Sequence, residues 1–261
     1  MTLGAKVYGA VADVFIHADA NKKSIAGPGV GNYLTMAKAG ALANNIFGGL
    51  SQTYVQAHGT STPQNRVTES HILNEVAKTF SCNAWPVSAI KSYVGHTVSA
   101  AGGDGLMAAL GAWDGGFIPG IKTIDHIADD VYQSHLNILM EHMPIGERGE
   151  QMRGVILNSK GFGGNNASGV VLSPKQTEQM LAKRYGQAKY SSYQKSHEEV
   201  AETINTLNQQ TCAGNERIIY NFGTFVMDAK DVTMSPESVH FSGFEKSVDL
   251  PKENPYADCC D

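Results

Sequence analysis

Two histidines and a lysine carry the first chemical signal: His58 in His-Gly-Thr-Ser-Thr-Pro, then Lys91 and His96 in Lys-Ser-Tyr-Val-Gly-His. Two neutral imidazoles aimed at one point can donate N–H bonds to an oxygen that gains negative charge during a reaction, as an oxyanion hole does. Taken singly, each histidine reads as a satisfied structural residue. The lysine five positions before His96 changes that balance. A buried ammonium there would orient water or a carboxylate and hold nearby imidazoles neutral. Gly59 and Gly95, beside the two histidines, let backbone and substrate come close. Thr60 and Thr62 stand two apart on an extended segment, so their hydroxyls face the same way. The alternative is a pair of turn-forming hydroxyls.

A third segment, Gly161-Phe162-Gly163-Gly164-Asn165-Asn166, is a poor match to a phosphate loop. It lacks the Gly-x-Gly-x-x-Gly spacing and lies between two expected strands, not before a helix. Gly27-Pro28-Gly29-Val30-Gly31 reads as a loop leading into a helix.

These groups need a scaffold, and the apolar periodicity supplies one. Strands are expected at 7–17, 53–57, 86–90, 153–159 and 167–172, the second ending at His58 and the third at Lys91. The last two form a hairpin around the glycine segment. Helices are expected at 31–44, at 68–80 with Thr68 as its cap, and at 98–113, where small residues permit close packing. Residues 21–29 read as a loop. Strands alternating with helices imply an α/β domain with a mixed sheet, and its site belongs where strands end. After Pro174 the composition turns to Gln, Lys, Glu, Ser and Tyr, with an amphipathic helix at 199–207 and an apolar patch at 218–226. The division expected is a domain at 1–173 and an extension at 174–261.

Bulk properties exclude several classes. The chain has 261 residues, 42% hydrophobic and 17% charged, which suits a globular protein and not a disordered one. A formal charge of −5 argues against nucleic acid as partner. Lys6, Lys22 and Lys23 could form a basic patch, though a solvated surface is the plainer reading. No apolar run reaches membrane-spanning length, and no leader pattern opens the chain. The cysteines, Cys82, Cys212, Cys259 and Cys260, have no framework spacing, which fits a reducing cytoplasm. Cys212, Cys259, Cys260 and His240 could be imagined around a metal, but without a Cys-x-x-Cys pair they read as exposed thiols.

In combination, order and spacing, the three segments resemble the C-terminal half of a β-ketoacyl-acyl-carrier-protein synthase. The resemblance runs from about residue 5 to residue 172 and is similar to a longer bacterial subgroup. It implies a thiolase-like fold, in which two such halves form an αβαβα layered sandwich and a homodimer. It also implies decarboxylative condensation of a malonyl thioester with an acyl thioester in fatty-acid synthesis, in the cytoplasm. His58 and His96 would then be the decarboxylating pair, and Lys91 the active-site lysine. Thr60 and Thr62 would bind the phosphopantetheine arm of acyl carrier protein. Phe162, between Gly161 and Gly163, would offer its backbone N–H to the thioester oxyanion and gate the acyl pocket with its ring. Glu69 matches a buried carboxylate, with a surface helix position as the equal alternative. No resident cofactor or metal is implied.

The sequence also departs from the family pattern. Arg66 stands where Asp is common, and Gly103-Asp104-Gly105 replaces a segment that usually carries Glu. The family's cysteine nucleophile belongs to its N-terminal half. Cys82 follows a helix instead of sitting in a strand-to-helix elbow, so the chain is expected to lack that nucleophile and half, and to be inactive in condensation alone. A chain that opens on an apolar strand reads as cut. Two alternatives share these motifs: a polyketide ketosynthase fragment, and a non-catalytic partner or remnant of a condensing enzyme.

Overall fold

The strand and helix patterns resolve into one mixed sheet with helices on both faces. The computed structural model describes residues 4–20, 29–215, 223–224, 226–255 and 257–259. Lys22, Lys23, Gly27, Pro28 and Cys260, with most of the 21–29 loop and of the 218–226 patch, lie outside the described residues.

The elements run in chain order. They begin with β1 (Ala10–Ala18), α1 (Val30–Phe47), β2 (Thr53–Gln56), α2 (Pro63–Thr79), β3 (Trp85–Ser88), α3 (Lys91–Val94) and α4 (Ala101–Gly115). Then come β4 (Phe117–Ile118), β5 (Leu136–Ile138), β6 (Met143–Pro144), β7 (Gly154–Gly161), β8 (Asn165–Leu172), α5 (Pro174–Tyr185) and α6 (Gln187–Cys212). Six strands form the main sheet in the order β1-β8-β7-β2-β3-β5. β1, β8 and β7 pair antiparallel, whereas β7, β2, β3 and β5 pair parallel. Every residue of β2 and of β3 is buried, as parallel strands covered on both faces require.

Side-chain alternation divides the core in two. Val55 and Ile156 turn toward α1 and α2, where they meet Met36, Ala39, Ile72 and Val76. Tyr54 and Val155 turn the other way, toward Ala109, Ala112 and Trp113 of α4. Both large indoles satisfy their N–H groups, Trp85 on Thr53 Oγ1 at 3.0 Å and Trp113 on the Met152 carbonyl at 2.8 Å.

Three local expectations are corrected. The second helix begins at Pro63, behind Thr62, and not at Thr68. Proline lacks an N–H and has a helical φ, which suits the first helical position. Thr68 lies inside the helix and donates its hydroxyl back to the Gln64 carbonyl at 2.9 Å. Lys91 does not end a strand; it opens the single turn α3, and His96 follows that turn. The helix expected at 199–207 lies inside a 26-residue helix, because the flanking polar residues favour helix without adding an apolar stripe.

Two compact units divide the chain within α6, one at Met1–Thr203 and one at Ile204–Asp261. In the first, α6 holds the start of the chain: Tyr193 donates to the Ala5 carbonyl at 3.0 Å, and His197 Nδ1 lies 2.9 Å from that of Gly4. The second contains a small antiparallel sheet of β9 (Val232–Met234), β10 (Ser238–Phe241) and β11 (Val248–Asp249). No helix among the described residues is long and apolar enough to cross a membrane.

Candidate active site

At the carboxyl ends of the parallel strands lies a cavity of about 1240 Å³. Its lining includes His58, Thr60, Thr62, Glu69, Lys91, His96, Gly161 and Phe162, so the three motifs do converge. Strand ends in a sheet of this kind leave polar backbone groups and loops free to build a site.

His58 comes two residues after β2 and is buried, with 6% of its surface exposed. Its Nδ1 accepts the backbone N–H of Lys160 at 3.3 Å. That bond assigns the ring proton to Nε2, on the other side of the imidazole. His96 is exposed, and its Nδ1 accepts the Val98 backbone N–H at 3.1 Å, which likewise leaves Nε2 as the donor. The two rings meet edge to face with centroids 5.4 Å apart. Burial, followed by the positive charges of Lys91 and Lys160 and the ring of His96, lowers the pKa of His58 to about 4, against an opposing pull from Glu69. At neutral pH this imidazole is uncharged.

Glu69, in α2, is 4% exposed, which settles its two alternatives in favour of burial. Its Oε1 accepts the His58 N–H at 2.8 Å and Asn158 Nδ2 at 2.7 Å. Its Oε2 accepts the Gly59 N–H at 2.9 Å and Asn65 Nδ2 at 3.0 Å. With both oxygens occupied, the carboxylate holds the His58 loop against the end of β7. Gly59 has φ +53°, and a Cβ there would stand 2.5 Å from that of Ala89. A side chain at this turn is excluded by both conformation and space.

Lys91 donates from Nζ to the His58 carbonyl at 2.6 Å. Burial lowers its pKa, partly offset by Glu69 and Asp104. Asp104 itself accepts a bond from the Thr97 hydroxyl. The Thr60 and Thr62 hydroxyls are 3.2 Å apart, and Thr62 makes no side-chain cap to α2 although it occupies the cap position. Phe162 is 75% exposed at the tip of the β7–β8 hairpin, followed by Gly163 and Gly164 at φ +77° and +79°. Arg66, the departure after Thr-Pro, pairs with Asp130 at 2.7 Å.

Three residues of this constellation escaped the sequence reading: Asn65, Asn158 and Lys160. A signal for two of them was present. Asn158 and Lys160 are in phase with the core residue Ile156 on β7, so polar side chains were due on an interior face. The readings set aside are also accounted for. Lys6 lies at the surface on Asp114, 3.2 Å away. Cys82 is buried, with its thiol pKa raised by that burial, and Cys212 and Cys259 are exposed. None of these cysteines lines the cavity.

Residues 8–125 match the β-ketoacyl synthase C-terminal domain. The chain carries a β-ketoacyl synthase C-terminal domain. Over its whole length it is 47% identical to the β-ketoacyl-[acyl-carrier-protein] synthase FabY of Pseudomonas aeruginosa, of which it covers 41%. Against 3-oxoacyl-[acyl-carrier-protein] synthase 1 of Escherichia coli it is 34% identical over 115 residues, 44% of this chain and 26% of that one. The crystal structure of the noncanonical ketosynthase FabY superposes on 99% of this chain and 40% of its own, with TM-score 0.85. An oxazolomycin ketosynthase domain of Streptomyces, 20% identical, shares the fold at TM-score 0.57. The fold is therefore thiolase-like, and the chain spans about two fifths of the FabY length.

Proposed function

We propose that this chain supplies the decarboxylating part of a 3-oxoacyl-acyl-carrier-protein synthase of fatty-acid synthesis. The observation that carries the reading is the imidazole pair. Both rings have Nδ1 occupied by a backbone N–H, so both Nε2–H groups are available to one acceptor at the cavity. In the reaction, the bond between the malonyl α-carbon and its carboxylate breaks. Its electron pair moves into the thioester as an enolate, and CO2 leaves. His58 and His96 donate to the enolate oxygen, where charge develops in the transition state. The enolate carbon then attacks an acyl thioester, forms the new carbon–carbon bond and expels a cysteine thiolate.

Other roles follow from the same reading. Lys91 anchors the His58 carbonyl and holds His58 neutral. The paired hydroxyls of Thr60 and Thr62 bind the phosphopantetheine arm of acyl carrier protein, which brings the substrate without a resident cofactor. Phe162 contributes its N–H to the acyl oxyanion between Gly161 and Gly163, and its ring gates the acyl pocket. Glu69 is structural support.

The nucleophilic cysteine comes from outside this sequence, in an N-terminal half that pairs with residues 1–173, and the complete enzyme is a cytoplasmic homodimer. Residues 174–261 form the extension. The absence of a cavity cysteine among the described residues supports this, as do the exposed Tyr93, Val94, Val98 and Met107 on and near the segment that carries His96. By itself the chain is inactive in condensation. A polyketide ketosynthase uses the same motifs, but the whole-chain similarity to FabY favours the fatty-acid reading.

Release of CO2 from malonyl-acyl carrier protein by the complete protein tests the assignment. His58→Ala and His96→Ala should each lower the rate by about 10²–10³. Unchanged CO2 release in both variants would overturn it.

A further inference from the structure

Lys160 has no part in the reaction proposed above, yet it is the more deeply buried of the two lysines that line the cavity. Only 6% of its surface is exposed. Its backbone N–H holds the His58 ring, and its side chain crosses to α2, where Nζ donates to Thr68 Oγ1 at 3.1 Å. An ammonium has three N–H donors, and this bond accounts for one. Among the described residues neither Lys160 nor Lys91 forms an ion pair. Glu69 and Asp19 act on Lys160 at longer range, and both oxygens of Glu69 are already filled. Buried lysines are almost always paired. A cavity wall with one buried and one half-buried cation and unfilled donors is arranged to receive an anion.

Under the decarboxylation reading two anions enter this cavity: the phosphate of the carrier arm and the free carboxylate of the malonyl group. The phosphate lies at the far end of the arm from the thioester. Lys160 bonds His58 through its backbone, and its Nζ bonds Thr68, the neighbour of the Glu69 that holds the His58 N–H, so the side chain stays beside the reacting end. We propose that Lys160 is a specificity-determining residue that binds the free carboxylate of a malonyl thioester. This inference rests on the decarboxylation reading of the same site. A cation on the carboxylate stabilises the bound ground state, where the charge is still localised there, more than the transition state, where that charge has moved to the enolate. The contact therefore selects a malonyl over an acetyl thioester and tightens binding without speeding bond breaking. Burial lowers the Lys160 pKa, so binding an anion also restores stabilisation to a desolvated ammonium.

The test uses the complete protein, with malonyl-pantetheine and acetyl-pantetheine as probes, and measures Kd for both by calorimetry beside CO2 release. Wild type should bind the malonyl probe more tightly. Lys160→Met should weaken malonyl binding by about 10- to 100-fold, the usual strength of one hydrogen bond to a charged group. Acetyl binding should stay within a few-fold, the kcat for CO2 release at saturating substrate should rise, because the lost contact favoured the bound ground state, and Lys160→Arg should keep most of the preference. A purely structural lysine would instead lower Tm and weaken both probes together. Equal loss for both probes, or no loss for either, overturns the proposal. If Lys160→Met does not fold, wild type decides: equal affinity for the two probes overturns the carboxylate contact. Preference for malonyl without CO2 release would sink the decarboxylation reading and leave the contact standing.

Discussion

His58 and His96 face each other across 5.4 Å, but they are held in unlike ways. His58 is part of the core. Its carbonyl receives Lys91, its N–H meets Glu69, and its ring accepts from Lys160, so three separate elements fix it. His96 is exposed and tied by one local bond, to an N–H two residues along the chain. The difference teaches that one side of the site is completed by long-range packing within this chain. The other side has its geometry set locally, in a segment whose apolar neighbours remain uncovered here. A hydrogen bond in a buried wall is costly to lose because water cannot replace the partner; one at an exposed turn is not.

The most direct way to break this comparison is to remove Glu69. Glu69→Ala leaves four donors without their acceptor, and should destabilise the fold by about 3–5 kcal/mol in urea unfolding. If the variant unfolds like wild type, the buried wall does not depend on that carboxylate.

Acid should act on the buried wall next, through His58. His58 has a folded pKa of about 4, below the ordinary value of 6.5. Between those values the unfolded chain binds a proton that the folded chain refuses. The stability from its neutral state is therefore complete above about pH 6.5, falls as pH drops toward 4, and changes no further below that. The loss is on the order of 3 kcal/mol. NMR titration of the His58 ring should find it neutral at pH 5, and a protonated ring there would remove the electrostatic basis of the contrast.

The smallest effect lies in the two glycines. Gly59→Ala meets Ala89 and a φ of +53°, and should cost about 2–3 kcal/mol. Gly95→Ala has φ +73° and ψ −168°, a glycine conformation, but nothing within 4 Å, and should cost about 1–2 kcal/mol from backbone strain alone. Equal losses in thermal unfolding would mean that the two sides are equally packed.

Much of the fold was legible. The short apolar run at 53–57 and the hairpin at 153–172 correspond to β2, β7 and β8, because covered strands need continuous or alternating apolar residues. Helix starts were harder. Thr68 looked like a cap, but Pro63 offered a better first position five residues earlier, and a capping pattern cannot rank two starts. Lys91 was placed at a strand end because the apolar run 86–90 does not reveal where pairing stops and the single turn α3 begins.

Residue identity and order along the chain determined the three motifs, their glycines and the family to which they point, since these are local patterns of side-chain type. Only the tertiary structure decided which groups complete them. The Lys160 bond to His58 spans 102 positions, and the Asn158 bond to Glu69 spans 89. Contacts at such separations depend on how β7 lies beside β2 and how α2 packs over both, a register that local periodicity does not encode. Whether Glu69 was a surface residue or a clamp, and whether Lys160 was a stray charge or part of a cavity wall, followed from that register alone.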